Sequence, residues 1–233
     1  MSAPAPVRKP SVAKPPAQAV WKQAVLGIAA VLAIAAAVHF LVQGQKSSLV
    51  PKADGQLYES TGQALAEEAA RLLANQGKIV ILTARSGPQP SPVHAGYLSG
   101  FKAALKPHRG LTLLATESIA PTEAGCPADA FLAALQRHPT ADAVVSFIGP
   151  PVLKSADFNT LPARRPKLVV LGGDRSQTRT LMSRKILDAS FVPRMAAKSS
   201  TPTAPQTARE QFDQFFQLIT PATVANWTEG AKP

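Results

Sequence analysis

Cysteine is almost absent: Cys126 stands alone. No intrachain disulfide can form, and no paired-cysteine metal site exists. Tryptophan and tyrosine occur twice each, so no aromatic pattern is interleaved with the basic residues in the way nucleic-acid stacking needs, and no nucleic-acid partner is expected. The four histidines, His39, His94, His108 and His138, show no metal-ligand spacing. His94 lies near the end of a strand-like run and offers a general base, although an isolated loop histidine is the plainer reading. The chain contains no GxSxG elbow, HExxH pair, phosphate-binding loop or CxxC pair. The Gly172-Gly173 pair lacks the third glycine of a dinucleotide site. No enzymatic activity, cofactor or metal is expected. Cys126 opens a helix-like stretch, where a helix N-terminus lowers a thiol pKa, but a small buried residue explains it more simply.

Acidic residues are missing from the first 53 positions, Asp54 being the first of 14. Ahead of them runs a charge-free stretch of 19 residues, Ala24 to Val42, with His39 as its one polar side chain. At about 1.5 Å per residue it just spans a hydrocarbon core of roughly 30 Å. A cleaved signal peptide is the rival reading, with small residues at Ala35 to Ala37. The length of the run, its extended leader and Trp21 at the interface favour a retained anchor. Arg8, Lys9, Lys14 and Lys22 keep the N-terminus in the cytoplasm and place everything beyond Gln43 outside it. The leader, rich in proline and alanine, is too poor in large apolar residues to fold alone.

The 22 prolines cluster toward the two ends, and between them apolar runs alternate with helix-like stretches. Leu57 to Asn75 reads as a helix closed by Gly77. Strands follow at Lys78 to Thr83, Leu111 to Ala115, Ala143 to Ile148, Lys167 to Leu171 and Ile186 to Val192. Helices fall around Val93 to Leu105, Pro127 to Arg137, Ser155 to Leu161 and from a Ser176 cap through Arg184. The near-continuous apolar strands are those of a parallel sheet buried on both faces. A last amphipathic helix, Arg209 to Leu218, is placed against its own domain. The predicted organisation is a basic tail (1–23), a transmembrane anchor (24–42), a linker (43–56), one doubly wound α/β lobe (57–193), and a Pro/Thr-rich linker with the terminal helix (194–233).

Ligands of open α/β folds collect outside the carboxyl ends of the strands, here Ala84 to Pro88, Gly149 to Pro151 and Gly172 to Arg175. The dense basic stretch from Arg164 to Lys198 reads as a solvated face, with anionic lipid or an acidic envelope polymer as its functional alternative. Asn226-Trp227-Thr228 fits a glycosylation sequon, relevant only in a eukaryote.

The order TGQALAEEAARLLANQGKIVILTA, GYLSGFKAAL, LAALQRHPTADAVVSFIG, KLVVLGGD and ILDASFVP resembles the C-terminal lobe of type I periplasmic sugar-binding proteins, over residues 57 to 193. Together with the anchor, that resemblance implies a bacterial inner-membrane protein with a periplasmic lobe that binds or senses a small polar, sugar-like solute. The candidate ligand-binding residues are Arg85, Ser86, Tyr97, Gly149, Asp174 and Arg175. The family's aspartate after the penultimate strand is retained as Asp174, which could equally be a helix cap. Tyr97 stands where the family often has Arg, and Gly149-Pro150-Pro151 replaces an Asn-Asp pair. The family has two lobes and only one is present here, so a second copy or another envelope protein would have to close the cleft. The alternative reading is a lobe that has lost its pocket and serves as a structural or interaction module.

Overall fold

The computed structural model describes residues 52–85, 87, 91–194 and 207–227. The chain divides into a unit ending at Leu49 and a second beginning at Val50, to which all described residues belong. The apolar run 24–42, the basic leader and Ser86 lie outside the described residues. Among those described, no helix is long and apolar enough to cross a membrane.

The elements follow in the order α1 (Lys52–Leu72), β1 (Gly77–Ala84), α2 (Pro92–Leu105), β2 (Leu111–Ile119), β3 (Cys126–Pro127), α3 (Ala128–Arg137), β4 (Ala143–Ser146), β5 (Pro151–Val152), β6 (Lys167–Leu171), α4 (Arg175–Ser183), β7 (Ala189–Pro193), α5 (Ala208–Phe215) and β8 (Phe216–Ile219). Six strands form one sheet in the order β2-β1-β4-β6-β7-β8. All neighbours pair parallel except β8, which runs antiparallel to β7. The remaining two, β3 and β5, form a small separate pair.

Strand alternation divides the apolar residues between two faces. Val80, Leu82, Val144, Leu168, Val170 and Val192 pack with Phe131, Ala134 and Leu135 of α3 and with Leu181 and Met182 of α4. On the other face Ile79, Ile81, Val145, Val169 and Phe191 pack with Leu65 and Ala69 of α1, Phe101 of α2 and Phe212 of α5. This three-layer arrangement is a doubly wound α/β lobe, as the apolar runs predict.

The structure corrects several local expectations. Helix α1 starts at Lys52, inside the stretch read as linker, because its first turn is polar and carries no apolar period. Gly77 does not cap it. Ala74 and Asn75 make the left-handed turn at φ 50° and 63°, Asn75 N–H closes on Ala70 O at 2.9 Å, and Gly77 already belongs to β1. Between Ser155 and Leu161 there is only a 3-10 turn, Asp157–Thr160. The cap of α4 is Asp174, whose Oδ1 accepts the Gln177 N–H at 2.9 Å, two residues before the expected Ser176. The expected terminal helix stops at Phe215, and Phe216–Ile219 becomes the sixth strand of the sheet. Its docking on its own lobe stands, since the Phe212 ring lies 5.4 Å from that of Phe191.

Strand β2 is longer than read and forms one edge of the sheet. Its register against β1 slips between Ile79 and Val80, which leaves Leu114 as the extra residue, 39 % exposed. A side-chain network ties this edge to α3. Arg137 donates to the Glu117 carboxylate at 2.9 and 3.2 Å, and His138 Nε2 lies 2.7 Å from it. Those bonds, Arg137 first, hold the Glu117 carboxyl below the usual carboxylate range. A depressed carboxylate stabilises the fold above its unfolded pKa, and that contribution disappears as pH falls through the folded pKa. The stability difference between the parent and Glu117→Gln, followed by denaturant unfolding, should therefore shrink as pH drops through and below the ordinary carboxylate range.

The basic stretch does not make one face. Arg164 pairs with Asp142 at 2.6 Å and Lys167 with Asp188 at 2.9 Å. Arg179 donates to the carbonyls of Val224, Ala225 and Trp227, Arg184 lies over the Phe158 ring, and Arg194 donates to Phe216 O. Several of these cations thus fasten neighbouring elements of the lobe to one another. Lys198 lies outside the described residues.

Candidate functional site

Strands β1, β4 and β6 are neighbours, so the residues that follow them form a row along the carboxyl edge of the sheet. With a strand spacing of about 4.8 Å, the outer two loops start roughly 10 Å apart. Arg85 follows β1, is exposed, and is held through its N–H to Ile119 O at 2.7 Å. Gly149 follows β4, and Asp174 and Arg175 follow β6. Tyr97 enters from the second turn of α2. The sequence thus places Arg85, Tyr97, Gly149, Asp174 and Arg175 at one edge of the molecule, with Ser86 outside the described residues.

The middle of this row is filled. Gly149 is buried at φ 87° and its carbonyl accepts from Ser146 Oγ at 2.6 Å. Pro150, also buried, accepts the Cys126 N–H at 3.0 Å, and Pro151–Val152 pairs with Cys126–Pro127. A side-chain carbon on Gly125 would come 2.5 Å from Pro150 O, and one on Gly173 would come 3.0 Å from Pro150 Cγ. Both glycines lie at positive φ. They are required here because Pro150 occupies the space between the two loops. Cys126 is buried within this small pair, and burial pushes its thiol up to about 12, the opposite direction from a helix N-terminus that lowers it.

On either side of this plug the edge carries polar groups without partners. Among the described residues four buried side-chain atoms make no hydrogen bond: Thr83 Oγ1, His94 Nδ1, Arg175 Nε and Thr178 Oγ1. All four lie at the carboxyl edge, in the last turn of β1, the first turn of α2 and the first turn of α4. A buried polar group left unpaired costs about 1–3 kcal/mol, and such groups are sparse in folded proteins, so their confinement to one edge is informative. His94 is not in a loop; it is half-buried in α2, and desolvation holds its pKa below the ordinary histidine value. Tyr97 stacks on Phe147 at 5.2 Å and meets Tyr58 edge-on at 5.8 Å. Burial, then the neighbouring Tyr58, raises its phenol pKa.

Thr83 and Thr178 were not singled out from the sequence, and His94 was considered there only as a general base. A threonine closing an apolar strand and a histidine one turn before Tyr97 are the only signals they leave. A different concavity, of about 260 Å³, lies among Leu132, His138, Pro139, Thr160, Pro162 and Arg164, beside the amino ends of β4 and β6. Its walls are mostly apolar, and its charged groups already pair with Glu117 and Asp142. The unpartnered polar atoms are the better guide to where a polar ligand would sit.

No protein-family model matches the chain, and no curated protein matches it. Among solved structures it is similar to a solute-binding protein of an ABC transporter from Burkholderia graminis in complex with D-arabinose, at 16 % identity and a TM-score of 0.53, over 73 % of this chain and 62 % of that one. It is similar too to AraP, an arabinose-binding protein from Geobacillus stearothermophilus, at 16 % identity and a TM-score of 0.51, over 73 % and 63 %. A sugar-binding protein of a sugar ABC transporter from Bacillus halodurans gives 14 % identity and a TM-score of 0.52, over 73 % and 64 %. The chain spans less than two thirds of the length of each.

Proposed function

We propose that this chain is an extracytoplasmic solute-binding-type module, tethered to a bilayer by residues 24–42, that takes a small polar, sugar-like ligand at the carboxyl edge of its sheet. The observation that carries this reading is the gathering of every unpartnered buried polar atom among the described residues at that edge. The fold shared with sugar-binding proteins supports it. Sugar recognition depends on convergent donors and acceptors in a place that excludes water. Thr83, His94, Arg175 and Thr178 supply such groups, and Asp174 keeps a second carboxylate oxygen beyond the one engaged in capping.

The test is isothermal titration of the full-length chain in mild detergent with neutral pentoses and hexoses including D-arabinose, alongside sugar phosphates and nucleosides. Saturable binding of a sugar is expected. Asp174→Asn separates the two roles of that residue, because asparagine caps as well as aspartate. It should leave the unfolding midpoint nearly unchanged and weaken binding at least about tenfold, the loss of roughly 1.4 kcal/mol. Asp174→Ala should in addition cost about 1 kcal/mol of stability.

Pro150 favours a second reading, in which the lobe has lost its pocket and holds another envelope protein or a second copy of itself. Binding of no solute by a well-folded chain, together with self-association, would point there.

A further inference from the structure

Thr83 lies on the same face of β1 as Ile79 and Ile81, the face covered by α1 and α2. Phe147 is its neighbour across the sheet, its N–H donating to Leu82 O at 2.9 Å. Tyr97 stacks on Phe147, and the His94 ring is 6.2 Å from Tyr97. Thr83 and Phe147 thus sit side by side on this face of the sheet, with Tyr97 and then His94 following from α2. Thr83 is 5 % exposed, yet neither its hydroxyl nor His94 Nδ1 has a partner among the described residues, and the two do not bond each other.

Building on the sugar-like reading above, we propose that Thr83 and His94 are a hydrogen-bonding pair in which each receives a hydroxyl group of one neutral polyhydroxylated ligand. A threonine hydroxyl both donates and accepts, and a neutral imidazole offers one donor and one acceptor. This combination matches a hydroxyl better than a carboxylate or phosphate, which only accepts. Arg175 and Thr178 start from the opposite face, on α4, so the ligand would bridge both faces across Pro150.

Two substitutions test the pair. Thr83→Val is nearly isosteric and removes a hydroxyl that has no hydrogen-bond partner among the described residues, and His94→Leu does the same for the ring nitrogen. Each variant, as the full-length chain, is followed by thermal unfolding without ligand and by titration with D-arabinose and the other neutral sugars. The unfolding midpoint is expected to stay level or rise, while sugar affinity falls at least about tenfold for each lost hydrogen bond. Unchanged affinity in both variants beside a binding parent would overturn the pair and leave the solute reading intact. A lower midpoint with unchanged affinity would also overturn it, assigning these atoms a structural partner. A parent that binds none of the sugars defeats the solute reading itself, and the pair with it.

Discussion

Gly100→Val is expected to cost the lobe about 3 kcal/mol or more and to leave little folded protein at moderate denaturant. Helices α1 and α2 cross with their backbones in contact. A side-chain carbon on Gly100 would come 1.9 Å from Glu59 O, and one on Gly62 would come 2.0 Å from Tyr97 O. Overpacking a core by side chains alone costs typically 1–3 kcal/mol, because rotamers can yield. Here the obstacle is backbone on the facing helix, so relief requires moving α2 away from α1 along its length. That movement would also carry His94 and Tyr97 off the edge of the sheet. A urea unfolding curve should shift its midpoint sharply downward, and Gly62→Val should act in the same direction. A variant at either position that retains the parent midpoint would show that the helices are farther apart than described.

Phe212→Ala is expected to cost about 3–5 kcal/mol, the range for removing a buried aromatic ring. Phe212 is 0 % exposed. It meets Phe191 edge-on at 5.4 Å and stacks on Phe216 at 4.8 Å. Those contacts fasten α5 and β8 to the far side of the sheet from β2, so their loss should release the last strand as well as open a cavity. Hydrogen exchange should then rise across Ala208–Ile219 while β1 and β4 remain protected. A uniform loss of protection across all six strands would instead make the terminal segment part of one cooperative unit with the centre.

The strands were largely legible because a parallel sheet buried on both faces leaves continuous apolar runs. Lys167–Leu171 was read with its observed bounds, and the loops after β1, β4 and β6 followed from it. What escaped depended on partners distant in sequence. Phe212, Phe215 and Phe216 fit a helical period, and only pairing with β7 turns Phe216–Ile219 into a strand. The β3–β5 pair joins Cys126–Pro127 to Pro151–Val152 across residues 128–150, and no local pattern in a Pro-Pro dipeptide announces it. Asp174 and Ser176 are both good caps, and the choice between them rests on where Gly172 and Gly173 release the chain.

For the candidate site, sequence reasoning pointed to the carboxyl edge and named Arg175, but not Thr83 or Thr178, among the residues with unpartnered buried atoms there. Gly149 is consumed by the Ser146 contact and by the turn into Pro150. Thr83 and Thr178 become conspicuous only once burial is known, since an unpartnered polar atom is a property of its surroundings.

The central claim is that a polar solute is held at the carboxyl edge of the sheet. Hydrogen–deuterium exchange of the full-length chain with and without saturating D-arabinose tests it most directly. The account predicts that sugar protects the backbone from Ala84 through Tyr97 and from Gly172 through Thr178, with little change elsewhere. Protection confined to Leu132–Ala141 and Thr160–Pro166, around the cavity at the opposite edge, would contradict it, as would no protection at all.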